Sequence, residues 1–583
     1  MSREPTGPVH IPVSDRDRIV IYLAVLMALF LAALDQTIVS TALPRMVEDL
    51  QGIDRYAWVA TAYLLASTAL ALVYGKLADT YPRKHVTLGA VGLFLTGSVL
   101  CGLSGEFGAL PLLGDGMTQL VLFRGIQGAG GGGLFAMTFI VIADLYTPAE
   151  RGRYQGWVGA VFGIASVLGP LVGGLLTDHA GGILPGVEGW RWVFYVNVPI
   201  GGVALWFIAR RMPRLEPAGD RRPPDFFGGA LLLGGLIPLV LSLQLDKRRY
   251  PWLPAMAPEG AAPLDAWASV LSFVVGAALL TGFVVRSRRS ASPILDLGLF
   301  RNRVFRTANT ATFFMGASFM SVTIFLPLFL VNVLDVSATR AGAALIPFSL
   351  GIVFGATVAG QIVHRVGYRK QMFLGALVFL ATVVGLATMG ADVPYGRVTA
   401  YMVLAGIGIG PSMPLFTLAI QNAVDVRLVG QATSASQFFR QTGATVGAAL
   451  MGTVLATTLG ASFATLELPA TLLVTADAPI EQFVSTGGAE LPQRIRDAYA
   501  VAAAEAPNGP ASEALVREGE AEAARVAGVI RTAFAEATSR IYWLTALIIG
   551  VGALLCLRIP ELPLRTTHDR AEARAEPPPG VPA

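Results

Sequence analysis

Charge is scarce in this chain. Only 14% of its 583 residues are Asp, Glu, Lys or Arg, and 54% are hydrophobic, whereas soluble domains carry about 25% charged residues. That balance excludes an ordinary soluble domain and indicates a polytopic membrane protein. Cysteine is nearly absent. Cys101 and Cys556 are the only two, both inside apolar runs, which leaves no disulfide framework and no metal-ligand spacing. No G-x-x-x-x-G-K-[ST] phosphate loop occurs, so a nucleotide is not the expected energy source. No nucleophile and base pairing stands out, and an enzymatic reading has nothing to attach to. The net charge of +4 points to no nucleic-acid partner, and no cofactor is expected.

What the chain has is apolar length. Windows of about 20 apolar residues, enough to cross a bilayer, fall near 19–43, 56–78, 86–104, 118–143, 155–177, 193–209, 226–244, 267–285, 305–331, 340–362, 371–390, 398–420, 431–457 and 540–558. The expected fold is an all-α polytopic membrane protein of about fourteen spans. The organisation is a six-helix bundle over 1–210, a linker with two extra transmembrane helices over 211–300, and a second six-helix bundle over 301–583. The first run ends without a small-residue cleavage pattern and reads as a retained span. Sixty-five glycines suit helices that must approach closely.

Orientation follows from the Lys/Arg bias of short loops, which favours the cytoplasm. Arg83, Lys84, Arg151, Arg153, Arg210, Arg211, Arg286, Arg288, Arg289, Arg301, Arg303, Arg365, Arg369 and Lys370 fall in loops of one parity. Those loops and both termini are assigned to the cytoplasm of a cell (plasma or inner) membrane. The cluster Lys247-Arg248-Arg249 falls on the other side. The polar stretch 459–538 is then extracytoplasmic. Arg494 to Glu505 and Ser512 to Thr538 read as helices around Pro507-Asn508-Gly509-Pro510, the second running into the last span. Its apolar stripe has a sister helix, the membrane surface or an external protein partner as candidate neighbours. The tail after Pro560 has the composition of a disordered segment.

One carboxylate is out of place. Asp35 lies well inside the first apolar run, where a charge costs roughly 2.5 kcal/mol or more, so an acid there faces a partner, a cavity or a proton path. The plainer reading is a packing acid neutralised by a neighbour. Arg124, in Leu122-Phe123-Arg124-Gly125-Ile126-Gln127-Gly128, lies roughly 9 Å from the outer end of its span, and Asp35 roughly 12 Å from the outer end of its own. The two can share a depth, and a guanidinium beside a buried carboxylate holds a proton equilibrium that conformation can tip. Gly128, Gly130 and Gly133 formally spell G-x-G-x-x-G, but no strand precedes them and the dinucleotide reading fails.

Two loops repeat. Gly75-Lys76-Leu77-Ala78-Asp79-Thr80-Tyr81-Pro82-Arg83-Lys84 follows the second span of the first half, and Gly360-Gln361-Ile362-Val363-His364-Arg365-Val366-Gly367-Tyr368-Arg369-Lys370 follows the second span of the other. Parallel repeats about an axis along the membrane normal give this arrangement.

With these stretches in view, the chain resembles the major facilitator superfamily, specifically its fourteen-span drug:proton antiporter family. The stretch Leu34 to Pro44 resembles that family's first-span signature, with Asp35 at the acid position. Arg124 stands at the Arg of its fourth-span motif, which implies proton coupling by Asp35 and Arg124. Gly75, Asp79, Arg83 and Lys84 match a cytoplasmic loop motif that latches one access state, with Thr80 where Arg is usual and Pro82 where Gly is usual. The second copy keeps Arg365, Gly367 and Arg369 but has His364 for the acid. Gly163, Gly169, Pro170, Gly173 and Gly174 resemble the fifth-span motif that accompanies export, and the stretch Trp190 to Gly201 resembles the entry to span six, read here as structural.

The expected function is a proton-coupled exporter of lipophilic or cationic drugs, driven by the proton gradient. Its partners are small lipophilic substrates, protons, the bilayer and a candidate external protein at 459–538. Gln36, Gln127, Phe314, Met413 and Arg440 are the candidate substrate-cavity residues, with Arg440 alternatively meeting a lipid headgroup or helix-end carbonyls. A lipid or glycolipid exporter is the alternative within transport, and a non-transporting receptor or scaffold the alternative from another class.

Overall fold

The computed structural model describes residues 14–50, 55–106, 108–111, 113–182, 187–216, 222–244, 263–336, 345–390, 393–464, 491–505 and 510–564. Among these the chain is helical, with no strand and a single isolated bridge between Leu110 and Gly114. The first half holds α1 (Asp15–Asp49), α2 (Tyr56–Thr80), α3 (Arg83–Gly102), α4 (Gly116–Leu145), α5 (Pro148–His179), α6 (Trp192–Tyr195) and α7 (Asn197–Arg211). A pair follows, α8 (Phe226–Gln244) and α9 (Pro263–Arg289). The second half holds α10 (Arg303–Asn332), α11 (Leu345–Val366), α12 (Tyr368–Ala387), α13 (Tyr395–Ile409), α14 (Ser412–Ala423) and α15 (Val429–Ala464), then α16 (Leu491–Glu505) and α17 (Pro510–Arg558).

Thirteen helical stretches among the described residues are long and apolar enough to cross a membrane. The expected fourteenth span is where the two readings part. α8, 19 helical residues without a charged side chain, is not among the thirteen, so fourteen spans are not counted among the described residues. The cluster Lys247-Arg248-Arg249, residues 465–490 and the tail beyond 564 lie outside the described residues.

Polar side chains set the helix starts. Ser14 caps α1 by accepting from the Asp17 N–H, Asp115 caps α4 by accepting from Thr118, and Asn302 caps α10 by accepting from Val304 and Phe305. Arg55 pairs with Asp115 at 2.6 Å and its hydrogen bond holds that carboxyl well below the usual carboxylate range. α5 opens with Pro148 in its first turn and a capping box between Thr147 and Glu150.

In the first half α4 packs between α2 and α3, while α1 lies against α5 and α7. In the second, α10 packs on α15 and α17, α11 on α13, and α12 on α17. α8 and α9 pair with each other and touch the bundles through α2 and α15. The glycine run of α4 makes its sandwich possible. A Cβ on Gly128 or Gly132 would strike the carbonyls of Tyr63 and Ser67 on α2, and one on Gly130 would strike the Phe94 backbone of α3. These glycines are there for backbone approach, as small residues are in membrane bundles.

α17 continues from the polar 459–538 region into the last span as one helix of 49 residues. Leu491, Ile495, Ala498 and Tyr499 of α16 bury against Ala523, Val526 and Ile530 of α17. The apolar stripe of that region therefore covers its own sister helix.

The α4 packing can be tested on one helix. Gly125 has nothing within 4 Å of an added Cβ, whereas Gly128 abuts the α2 backbone. Gly128→Leu is expected to lower stability by about 1–3 kcal/mol, the usual range for overpacking, with Gly125→Leu close to the parent. Thermal unfolding midpoints in detergent would measure this, and equal losses at the two positions would count against the packing.

Candidate functional site: a sealed carboxylate cluster beside a cavity

The deep acid and the deep base meet. Asp35, fully buried on α1, accepts from Arg124 Nη1 of α4 at 2.5 Å. Its other oxygen accepts from Gln127 Nε2 at 2.7 Å and Asn197 Nδ2 at 3.3 Å. Arg124 also donates to Gln127 Oε1 at 2.7 Å and to the Val59 carbonyl at 3.3 Å. Its guanidinium lies 4.4 Å from the centroid of the Tyr63 ring, a cation–π distance. Ser98 Oγ accepts from Gln127 and Asn197 and donates to the Phe194 carbonyl. A buried ion pair offsets its desolvation only when further hydrogen bonds satisfy both partners. Here Asp35 accepts on both oxygens and Arg124 donates through Nε and Nη1, while in the surrounding shell Asn197 Oδ1 is buried without a partner.

Helix geometry explains the assembly. Arg124 and Gln127 are three residues apart on α4 and so share a face. The span before residue 211 breaks between α6 and α7, which puts Asn197 at the start of α7, buried and facing Asp35. Tyr63, Ser98 and Asn197 were not singled out from sequence as site residues. Asn197 carried the one usable signal, a lone amide inside Val196-Asn197-Val198.

The basic end of the bundle is sealed across the two halves. Asp79 at the end of α2 accepts from the backbone N–H groups of Gly430 at 2.9 Å and Gln431 at 2.8 Å, so a carboxylate of one half caps the N-terminus of α15 in the other, where the helix dipole favours negative charge. Arg83 binds Asp144 at 2.8 Å and lies 3.7 Å from Asp79. Gly75 lets α2 touch Ser434 and the Gly430 carbonyl, and Gly360 does the same for α11 against the Gly152 carbonyl. Gln155, Gln421 and Thr433 add a polar bridge, with hydrogen bonds of 3.0 Å. Thr80, in the place usual for Arg, turns its hydroxyl onto the Lys76 carbonyl, and Pro82 serves as the N-cap position of α3.

The second repeat is built differently. Gly367 has φ of +83°, a backbone form that favours glycine, and its loop takes its acid from elsewhere in the chain. Glu561 pairs with Arg369 at 3.8 Å, while the Tyr368 hydroxyl donates to the Pro560 carbonyl and accepts from the Leu562 N–H, both at 2.7 Å. Lys84 is part-buried at the start of α3, and Arg365 is exposed without an ion pair among the described residues.

The α5 glycines divide their work. Gly163 allows contact with Val353 and Ser349 of α11, and Gly169 and Gly173 allow contact with Thr37 and Thr41 of α1. Thr37 also donates to the Ala165 carbonyl at 2.9 Å. Pro170 lies inside α5, and Gly174 faces open space.

Beyond the seal, between the halves, lies a cavity of about 370 Å³ with Gln36, Thr61, Phe162, Met413 and Arg440 in its wall. A recess of about 80 Å³ beside it shares Phe162, Phe319, Met413, Arg440 and Ala444. Two of the candidate cavity residues lie elsewhere. Gln127 belongs to the Asp35 cluster and is fully buried. Phe314 faces α17, where a Cβ on Gly552 would reach its Cβ at 3.6 Å, since its place on α10 points away from the gap between the halves.

The profile of the Major Facilitator Superfamily matches residues 25–448. The chain is 34% identical over 438 residues to the multidrug transporter protein MdtP of Bacillus subtilis (strain 168), covering 75% of each chain. It is 35% identical over 435 residues to multidrug resistance protein 3 of the same organism, covering 74% of this chain and 79% of that one. An uncharacterized MFS-type transporter of Mycobacterium tuberculosis (strain ATCC 25618 / H37Rv) is 31% identical over 572 residues, covering 97% of this chain and 72% of the relative. Among solved structures, the proton:xylose symporter XylE bound to 6-bromo-6-deoxy-D-glucose aligns with a TM-score of 0.57 at 12% identity, covering 96% and 99% of the two chains. That likeness is one of fold.

Two measurements address this geometry. Asp35→Asn leaves Arg124 as a buried unpaired charge and is expected to cost about 3–5 kcal/mol, of which the added change Arg124→Gln should restore a part. Unfolding midpoints of the single and double variants test this, and strictly additive losses would show that the two side chains do not act as a pair. For the seal, spin labels on cysteines placed at the exposed positions Arg153 of α5 and Arg365 of α11 should report a longer-distance population in Asp79→Asn. An unchanged distance distribution would remove Asp79 as a latch.

Proposed function

The chain belongs to the major facilitator superfamily, a family of transporters and not of enzymes, and from that premise we propose that it is an efflux pump that exports lipophilic compounds in exchange for protons. The observation that carries this reading is the Asp35–Arg124 pair, buried in the bundle and joined to it by Gln127 and Asn197. The names of its multidrug relatives support efflux, and the basic loops support a cytoplasmic placement of the sealed end in the cell membrane. On that placement the basic, sealed end is the cytoplasmic one, and the cavity between the halves is closed to the cytoplasm.

The cycle follows from what protonation does to the cluster. A proton on Asp35 removes the charge that Arg124 neutralises, and the acid form then needs an acceptor. Turning the Asn197 amide presents its unpartnered Oδ1 to that proton. The guanidinium keeps Gln127, the Val59 carbonyl and the Tyr63 face, so the base need not leave when the acid is neutralised. With the α1–α4 attraction weakened, Asp79 can release α15 and the halves can rock to open the basic end. Substrate binding there accompanies loss of the proton to the cytoplasm, and the re-formed ion pair favours the return.

The wall of the cavity bears on the substrate. Among the described residues that line it there is no carboxylate, while Phe162, Phe319 and Met413 supply an adaptable apolar surface. Of the two substrate kinds expected from sequence, lipophilic molecules have the support of the cavity and cations do not.

Everted vesicles with an imposed pH gradient and a panel of cationic, neutral and anionic lipophilic dyes test the proposal. The parent should move at least one dye in a gradient-dependent manner, and Asp35→Asn should abolish the gradient dependence, since an intramembrane acid of this kind marks a proton path. Undiminished gradient-driven movement in Asp35→Asn would falsify the assignment of the proton site.

A further inference from the structure

One charge is left over when the seal and the carboxylate cluster are accounted for. Arg440 on α15 lines both the large cavity and its recess, and it is the one charged side chain among the described lining residues of either. Its Nε and Nη2 both donate to Gln437 Oε1, at 3.2 and 2.8 Å. Gln437 is buried, so it orients the guanidinium without neutralising it. No carboxylate pairs with Arg440 among the described residues, and Nη1 is left without a hydrogen-bond partner there. The backbone is fixed as well, because Gly316 lets α10 lie directly against the Arg440 carbonyl.

An unpaired guanidinium inside a membrane bundle is costly and marks a site of function. The contrast with Arg124 is instructive: that arginine has a carboxylate, a glutamine, a carbonyl and an aromatic face, while Arg440 has one amide oxygen and a cavity. Asp35 cannot serve it, being fully buried and held by Arg124, Gln127 and Asn197. The planar fork of a guanidinium matches the two oxygens of a carboxylate, sulfonate or phosphate ester. The apolar walls on Phe162, Phe319 and Met413 match a hydrophobic body attached to it.

We infer that Arg440 seats the oxyanion head of a lipophilic anion in the cavity between the halves, with Gln437 as the residue that positions it. This deepens the export reading by naming a substrate class for the same cavity, and it rests on that reading only for the direction of movement. The oxyanion can come from a free lipophilic acid or from the headgroup of an anionic lipid.

Equilibrium binding to the purified full chain in detergent tests the site without any gradient. The probes are 1-pyrenebutyrate, its uncharged methylamide of nearly the same shape, and tetraphenylphosphonium, each read against empty micelles. The parent should bind the acid about tenfold or more tighter than the amide, the difference a charge-assisted hydrogen-bond pair provides. Arg440→Gln should erase that preference while leaving amide affinity within about threefold, and Arg440→Lys should keep part of it. Equal binding of acid and amide by the parent overturns the inference, as does equal weakening of both in Arg440→Gln, or tighter binding of tetraphenylphosphonium than of the acid. Competition by phosphatidylglycerol but not phosphatidylcholine, lost in Arg440→Gln, supports the site with a lipid headgroup as its source. Arg440-dependent acid binding without such competition supports it with a free acid. Because binding needs no proton flux, a chain that binds the acid through Arg440 yet exchanges no protons refutes the export reading alone.

Discussion

The ion pair between Asp35 and Arg124 is the constraint to which the first half is fitted. A carboxylate with no exposure in a membrane bundle is tolerable only while every donor around it stays in place. Those donors come from separate elements: Arg124 and Gln127 from α4, and Asn197 from the start of α7, with Ser98 of α3 holding the two amides. Tyr63 of α2 closes the cluster beneath the guanidinium. The glycines of α4 act in the same direction, since without the close approach at Gly128 and Gly130 the helices bearing Tyr63 and Ser98 would stand too far off. Packing and electrostatics are here one requirement. Any change of charge at Asp35 is felt by four neighbouring helices at once.

The seal at the basic end has the opposite character. It is made of a carboxylate on the backbone N–H groups of a helix start and of glycines that let two pairs of helices touch. These contacts join backbone to backbone and amide to amide across the gap, so they can part where the two halves meet without unpacking either half. The glycines heading the two sequence repeats, Gly75 and Gly360, are the points where α2 meets α15 and α5 meets α11. The repeat is therefore visible in the structure as one mode of contact used twice across the gap. It is not symmetric in charge. Asp79 serves the first copy from within the motif, while the second has His364 there and draws Glu561 from the segment after α17.

Much of this was legible in the sequence, for physical reasons that can be named. Apolar length marks a membrane helix because hydrocarbon leaves the backbone no other way to satisfy itself, and a lone acid such as Asp35 stands out against it. The shared depth of Asp35 and Arg124 followed from helix rise alone. Other parts were not legible. Gln127 is expected on the cavity wall from sequence, but which face of α4 looks at the cavity is decided by how α2 and α3 pack on it. Phe314 failed for the same reason on α10. Tyr63 and Ser98 are ordinary residues for a membrane helix and become site residues only through the fold. The thirteen strong spans were readable, whereas α8, with 19 uncharged helical residues, lies at the margin of the about 20 that a bilayer requires.

The relation between Arg124 and Arg440 follows from adjacent positions on one helix. Asp35 and Gln36 are neighbours on α1, and successive helical residues point about 100° apart. Asp35 looks into the bundle toward Arg124, and Gln36 looks into the cavity that Arg440 lines. α1 is thus in contact with the proposed proton site and with the proposed anion seat within a single peptide unit. Loss of the charge on Asp35 frees α1 from α4 on one side, and occupancy of the cavity presses on it from the other. Thr37 and Thr41 of the same helix sit on Gly169 and Gly173 of α5, whose other end carries the contact with α11. A small rotation of α1 can therefore be read at the gap between the halves. On the proposed reading, coupling between proton and substrate requires no long relay, only one helix whose adjacent side chains belong to different sites.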